Sequence, residues 1–295
     1  DEVAGLVDKS LVVLDGGESS ARYRLLETVR QYAAELLRAS GEHELLRSAH
    51  AHWYIEHVEQ LAPRLFGGAG DLDLINELTE ESGNLRAAGD WAGEAPERAL
   101  LSQRLGYALH WFWFAKGRFT EGRRRLEAGL SVPDVVGPRV RGRARIAAGH
   151  LALWQGHTEA VVPRMREALS LLRECDDRES LAYALNGVGA GEYLAGDLEA
   201  ATAHLDEALA IAVAFPDHIL AAIIRYWRSH VAIERGDHVL AETLLRESEQ
   251  IGRRRHHRPS TGHPLLVRGR LALRQGHWPP AMRHFVDALV PLAEV

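Results

Sequence analysis

The sequence predicts an all-α fold, an array of helical hairpins, and three observations predict it. Glycines stand at 117, 156, 196, 236 and 276, so that 39 or 40 residues separate each from the next. Each follows an apolar or aromatic run of helical character and precedes a fixed set of columns. Five positions on stand Gly122, Val161, Ala201, Ala241 and Ala281; nine on, Leu126, Met165, Leu205, Leu245 and Phe285; twelve on, Gly129, Ala168, Ala208, Ser248 and Ala288. These positions share one stripe of a 3.6-residue helix, where compact residues let a neighbouring helix approach and the large one fills the gap beside them. Glycine reaches the left-handed conformation that ends one helix and lets the chain turn into an antiparallel partner. Two helices per repeat follow.

The elements before the array read differently. Leu6 to Leu14, LVDKSLVVL, is short and partly β-branched, and Asp15-Gly16-Gly17-Glu18 is a turn signal, so a strand is expected there with Ala21 to Leu25 returning beside it. Glu27 to Leu37 is an expected helix with Val29, Tyr32, Ala33, Leu36 and Leu37 on one side. This piece is too small to bury both faces of anything and reads as the tail of a domain. Helices are then expected over 42–63, carrying Leu46, Trp53, Tyr54, Val58 and Leu61, and over 72–91, carrying Leu74, Leu78, Leu85 and Trp91. They bridge the tail to the repeats.

Within the array, Gly196-Asp197 and Gly236-Asp237 place a carboxylate where the next helix begins and its backbone N–H groups lack partners. Pro279 and Pro280 open the last helix, where proline is tolerated because first-turn N–H groups have no intrahelical acceptor. The basic run Arg253, Arg254, Arg255, His256, His257 and Arg258 reads as a solvated loop between a helix ending near Ile251 and one starting near His263. The final helix presents Phe285, Leu289, Val290 and Leu292 with no polar capping helix after it, so its apolar face is expected to be covered by further residues or by another copy.

Composition narrows the function. The 295 residues are 46% hydrophobic, enough for an extended core, and the net charge of −6 argues against a general nucleic-acid surface. The single cysteine, Cys175, excludes a disulfide scaffold. No run of apolar residues is long enough to span a membrane, so a cytoplasmic protein without membrane contact is expected. There is no GxxxxGK[ST] loop and no GxSxG motif. His50 and His52 point to different sides of a helix, and neither they with His57 nor His256, His257 and His263 have convincing ligand spacing, so no metal site is expected. Catalytic, cofactor and metal residues are all read as none, and the chain is not expected to be an enzyme.

The columns resemble the tetratricopeptide pattern in a longer-period form, most clearly in ALNGVGAGEYLAGDLEAATAHLDEAL. That likeness implies a right-handed superhelix of helical hairpins. LVDKSLV, ARYRLLETVRQYAAELL, HAHWY and ESGNLRAAGDWA in turn resemble the winged-helix-to-repeat junction of bacterial signal-transduction ATPases of the NB-ARC (STAND) type. Many of those are transcriptional regulators of the antibiotic-regulatory or LuxR-like large-activator group. The resemblance implies that residues 1–40 are the C-terminal part of a winged helix, 41–94 a helical junction and 95–295 five tetratricopeptide-like helix pairs. It also implies a nucleotide-binding domain upstream. Family members often carry Met-His-Asp at the start of the winged-domain helix, with the histidine near the nucleotide phosphates; here Leu25, Leu26 and Glu27 stand there, and Leu26 cannot donate a hydrogen bond. ATP and other cofactors are therefore not expected to bind this chain.

In such arrays the first helix of each pair lines the concave side. Carrying the groove-facing columns over selects Tyr107, Trp111, Arg143, His150, Tyr183, Asn186, Tyr226, His230, Arg270 and Arg274 as a partner-binding groove, with Arg104, Trp154, Tyr193 and Glu234 beside them. Trp111 and Trp154 are also core candidates, and for Trp111, within HWFWF, groove and core weigh equally. The expected occupant is a protein or peptide segment, or a small effector. The reading is a non-catalytic sensing module of a multidomain regulator that transmits binding to other domains, including intramolecular contacts with them. The alternative is a constitutive protein-interaction scaffold.

Overall fold

The computed structural model describes residues 2–15, 22–66, 72–132, 136–157, 159, 161–215 and 219–293. Contacts divide the chain into two units, Asp1–His52 and Trp53–Val295.

In the first unit, helix α1 (Glu2–Asp8) precedes an antiparallel hairpin of β1 (Val12–Asp15) and β2 (Arg22–Leu25), in which Val12 faces Leu25 and Asp15 faces Arg22. The strand expected from Leu6 therefore begins only at Val12. The difference lies at Ser10, whose φ of 57° is left-handed; the Ser10 and Leu11 N–H groups donate to Val7 and Leu6 carbonyls, closing the helix and turning the chain into the strand. The expected turn at 16–18, with Ala21, lies outside the described residues. Helix α2 (Glu27–Ser40) follows, and Gly41 ends it with a φ of 79°.

Helix α3 (His43–Phe66) runs across the division, and its C-terminal part buries Ile55, Val58 and Ala62 in the second unit. The helix expected over 72–91 is two, α4 (Leu72–Glu80) and α5 (Ser82–Gly93). The Ser82 hydroxyl donates to the Thr79 carbonyl at 2.6 Å, a local bond that competes with the helix ladder. Glu81 between them is held by Tyr54 Oη and Asn84 Nδ2, each donating to its carboxylate at 2.7 Å.

Five helical hairpins follow: α6 (Ala99–Ala115) with α7 (Phe119–Leu130), α8 (Pro138–Trp154) with α9 (Val161–Leu172), and α10 (Arg178–Leu194) with α11 (Leu198–Ala212). Then come α12 (Leu220–Glu234) with α13 (His238–Arg254) and α14 (Arg258–Arg274) with α15 (Trp278–Ala293). Every hairpin turns at one of the five periodic glycines, whose φ values run from 64° at Gly117 to 86° at Gly196. At Gly196 the N–H donates to Tyr193 and the next N–H to Glu192, the paired bonds of a left-handed helix stop, and the other four turns repeat them. Asp197 and Asp237 then cap the following helices, accepting from Ala200 N at 3.1 Å and Leu240 N at 3.0 Å.

The columns are the core. Val161, Ala201, Ala241, Met165, Leu205, Leu245, Ala168, Ala208 and Ala288 are wholly buried. Their facing surface is a further column, seven residues before the last four turns: Gly149, Gly189, Ser229 and Gly269 on the first helices, with His110 in the first hairpin. A Cβ at Gly189 would lie 2.6 Å from Leu205 Cγ, and one at Gly269 2.5 Å from Phe285 Cε1, so the large residue of the second helix seats where the first has no side chain.

Half of the basic run is helix. α13 extends to Arg254 and α14 starts at Arg258, leaving a connection closed by His256 in the left-handed region at φ 52°. A loop reaching His263 is excluded by contact between the two helices: a Cβ at Gly252 would lie 2.6 Å from the Ser260 backbone carbon. On α15, Met282, Val286, Leu289 and Val290 are exposed, Phe285 and Leu292 half-buried. Among the described residues no helix is long and apolar enough to cross a membrane.

Candidate functional site

The first helices of all five hairpins converge on one hollow. α6 contributes Trp111 and Phe114, α8 His150 and Trp154, α10 Asn186, α12 Ile223, Tyr226 and Trp227, and α14 His257, Ser260 and His263. The space between these walls is about 720 Å³, counting its open mouth. Trp154 of the second hairpin and His263 of the fifth meet across it, their rings 6.2 Å apart and 27° from parallel. Hairpins far apart in sequence thus share a side-chain surface.

The N-terminal turn of α14 is held in place to form one wall. His257 caps it: Nδ1 accepts from Ser260 N at 3.1 Å, so the ring is neutral with its proton on Nε2. Burial, with His263 nearby, lowers the His257 pKa to about 4, and burial lowers His150 to about 4 as well. Rings pack around the hollow: Trp111 lies edge-on to Phe114 at 5.4 Å and tilted against His150 at 5.8 Å, while Phe114 lies edge-on to Trp154 at 5.0 Å. Two acceptor-capable atoms are left over. Asn186 is 3% exposed and its Oδ1 has no hydrogen-bond partner; His150 Nδ1 is likewise buried without one.

Beside it lies a second hollow of about 430 Å³, lined by Tyr193, His230, Glu234, Arg270 and Arg274 among others. Tyr226 and His230 form the shared wall, their rings 4.8 Å apart and edge-to-face. Burial, then Arg270, lowers the His230 pKa to about 4. The second hollow is polar and charged where the first is aromatic.

The structure brings Trp111, His150, Asn186 and Tyr226 into the first hollow and His230, Arg270 and Arg274 into the second. It places three of the selected residues elsewhere. Tyr183 is 1% exposed, packed edge-on beneath His150 at 5.9 Å. Arg143 Nε donates to Asp177 Oδ2 at 2.8 Å and Ser180 Oγ at 3.0 Å, tying α8 to the cap of α10, and its guanidinium lies over Tyr107 at 5.4 Å. Tyr107 is enclosed there, and burial raises its pKa to about 12. Arg104 is bound to Glu59 of α3. Sequence reasoning missed Trp227, His257 and His263; the first sits beside a chosen tyrosine, His257 was read as loop, and His263 as the start of the helix after it.

A stack of helical hairpins with an aromatic hollow on its first-helix face is a tetratricopeptide-like repeat module. No protein-family model matches the chain. Over 249 residues, 80% of the chain, it is 32% identical to proteins of Mycobacterium bovis and Mycobacterium tuberculosis that bear the name "Putative HTH-type transcriptional regulator". The chain spans 27% of the length of these relatives. Among solved structures, a Rap protein complexed with competence and sporulation factor superposes with a TM-score of 0.65 at 14% identity, covering 90% of this chain and 71% of that one. A signal-transduction ATPase with numerous domains and a tetratricopeptide-repeat sensor, from Pyrococcus horikoshii, gives 0.51 at 14% identity, covering 90% and 42%. At these identities the structural likeness establishes the fold alone. The chain is a helical repeat segment similar to part of a transcriptional regulator.

Proposed function

We propose that this chain is the signal-sensing repeat module of a multidomain transcriptional regulator of the NB-ARC type. The aromatic hollow carries the reading: five first helices each contribute to one surface, so a bound molecule would favour one relative setting of the hairpins over others. The 32% identity to proteins named as transcriptional regulators supplies the regulatory context, and their greater length leaves room for nucleotide-binding and output domains. Residues 1–40 are then the end of a winged helix and 41–94 the junction that passes the setting on.

In this reading the chain itself does no chemistry and holds no ATP. Leu26, at the start of α2, has no side chain able to contact a phosphate, and Glu27 is engaged by Arg30 and Gln31, which hold its carboxyl down at about 2. Calorimetry with ATP and ADP on this chain should give no 1:1 binding in the micromolar range; such binding would overturn the boundary drawn here. The switching role is tested in the full-length regulator by crosslinking with and without nucleotide. Nucleotide-dependent crosslinks among α8, α12 and α14 support a switch, and identical crosslinks in both states would leave a constitutive scaffold.

A further inference from the structure

On the reading that the first-helix face is the sensing face, the aromatic hollow specifies what it senses. None of its described lining residues is aspartate, glutamate, lysine or arginine, and two of its histidines are held neutral by burial. A charged ligand would lose its hydration there with no opposite charge to replace it. A peptide strand brings an N–H and a C=O at each residue, all of which need partners once buried. Among the acceptor-capable atoms of the described lining, two, Asn186 Oδ1 and His150 Nδ1, are buried without a partner. Its surface is instead ring faces and edges from Trp111, Phe114, Trp154, Tyr226 and Trp227, which suit another flat apolar body.

We propose that this hollow binds an uncharged, flat, mainly apolar small molecule, oriented by one hydrogen bond donated to Asn186 Oδ1. The charged hollow beside it, with Arg270, Arg274 and Glu234, is a separate surface under this assignment.

Two fluorescent probes with one skeleton separate the possibilities. N-phenyl-1-naphthylamine is uncharged and has a single N–H donor; 1-anilinonaphthalene-8-sulfonate adds one negative charge. Titrated into the 1–295 chain at pH 7.5, the uncharged probe should bind 1:1 in the micromolar range, with the sulfonate at least tenfold weaker. Asn186→Leu, near-equal in size, should weaken the uncharged probe at least fivefold. Trp154→Ala, at the 45%-exposed rim where folding is not at stake, should weaken it at least threefold. Circular dichroism would show both variants folded. Uncharged-probe affinity indifferent to both substitutions would overturn the assignment, because binding would then lie elsewhere, for instance on exposed Val286 and Leu289 of α15. Tighter binding of the sulfonate, lost in Arg270→Gln with Arg274→Gln, would also overturn it and move the site to the charged hollow. Either failure would leave the regulator reading intact, since that is decided by the nucleotide-dependent crosslinks.

Discussion

Helices α2 and α10 show how differently the two units of this molecule are held together. α2 has no buried residue and leaves Tyr32 62% and Leu36 54% exposed, although its apolar residues follow a regular helical stripe. α10 buries Ser180, twelve residues in all out of 17, including Asn186 and Glu192. α10 packs against α8 and α9 on one side and α11 and α12 on the other, whereas within its own unit α2 meets little. An amphipathic pattern thus identifies a helix but does not by itself bury it. In the repeats, burial comes from matched surfaces on neighbouring hairpins, and one such surface is the glycine column that receives Met165, Leu205 and Phe285.

The comparison breaks most easily at that column. Gly189→Val would drive a side chain into Leu205 Cγ at 2.6 Å and Ala201 O at 3.2 Å, against backbone that cannot yield. A loss of about 3 kcal/mol or more is expected, from overpacking together with a β-branched residue in a tight crossing. Thermal unfolding of the repeats should register it, and an unchanged melting curve would mean the seat is not tight.

Acid should loosen the repeats next. Burial lowers the pKa of His110 to about 3 and of His150, His230 and His257 to about 4. These groups are neutral when folded and, below about pH 6.5, charge more readily in the unfolded chain, so the unfolded state binds more protons. Stability should therefore fall from about pH 6.5 to about pH 4 through His150, His230 and His257, with the His110 contribution still falling to about pH 3. Between pH 7 and pH 5 the loss should be about 3 kcal/mol or more, measured by urea unfolding. A stability that rises on acidification across this window would contradict the buried, neutral placement.

The turns should give a smaller effect. Gly236 has a φ of 77° and open space where a Cβ would go, so Gly236→Ala isolates the backbone penalty, about 1 kcal/mol. The smallest belongs to the first unit, where Tyr32→Ala should change stability by less than about 0.5 kcal/mol. A larger loss there would show that the exposed stripe of α2 is covered in solution.

These contrasts follow what the sequence made legible. The five turns, the core columns and the caps at Asp197 and Asp237 were readable because each depends on residues within one hairpin. The break at Glu81 was not, since Leu74, Leu78 and Leu85 keep helical spacing across it while side-chain bonds from Ser82 and to Glu81 interrupt the ladder. Nor was the helix at Glu2–Asp8, which stops at a left-handed Ser10 that carries no glycine signal. The groove-facing columns gave Trp111, His150, Asn186 and Tyr226, four of the 15 described residues that line the hollow. His257 and His263 were missed because their place depends on α14 meeting α8 across three hairpins, a consequence of stacking that no column within a repeat encodes. Tyr183 lies one turn before Asn186 on the same face of α10, yet it is buried beneath His150, a depth that column position does not encode.

The central claim is that the first helices together form the sensing surface. Hydrogen exchange read by mass spectrometry, on the 1–295 chain with and without saturating N-phenyl-1-naphthylamine, tests it most directly. The account predicts added protection in segments of α8, α10, α12 and the start of α14, with α7, α9, α11 and α13 little changed. Protection confined to the second helices, or to α15, would contradict it.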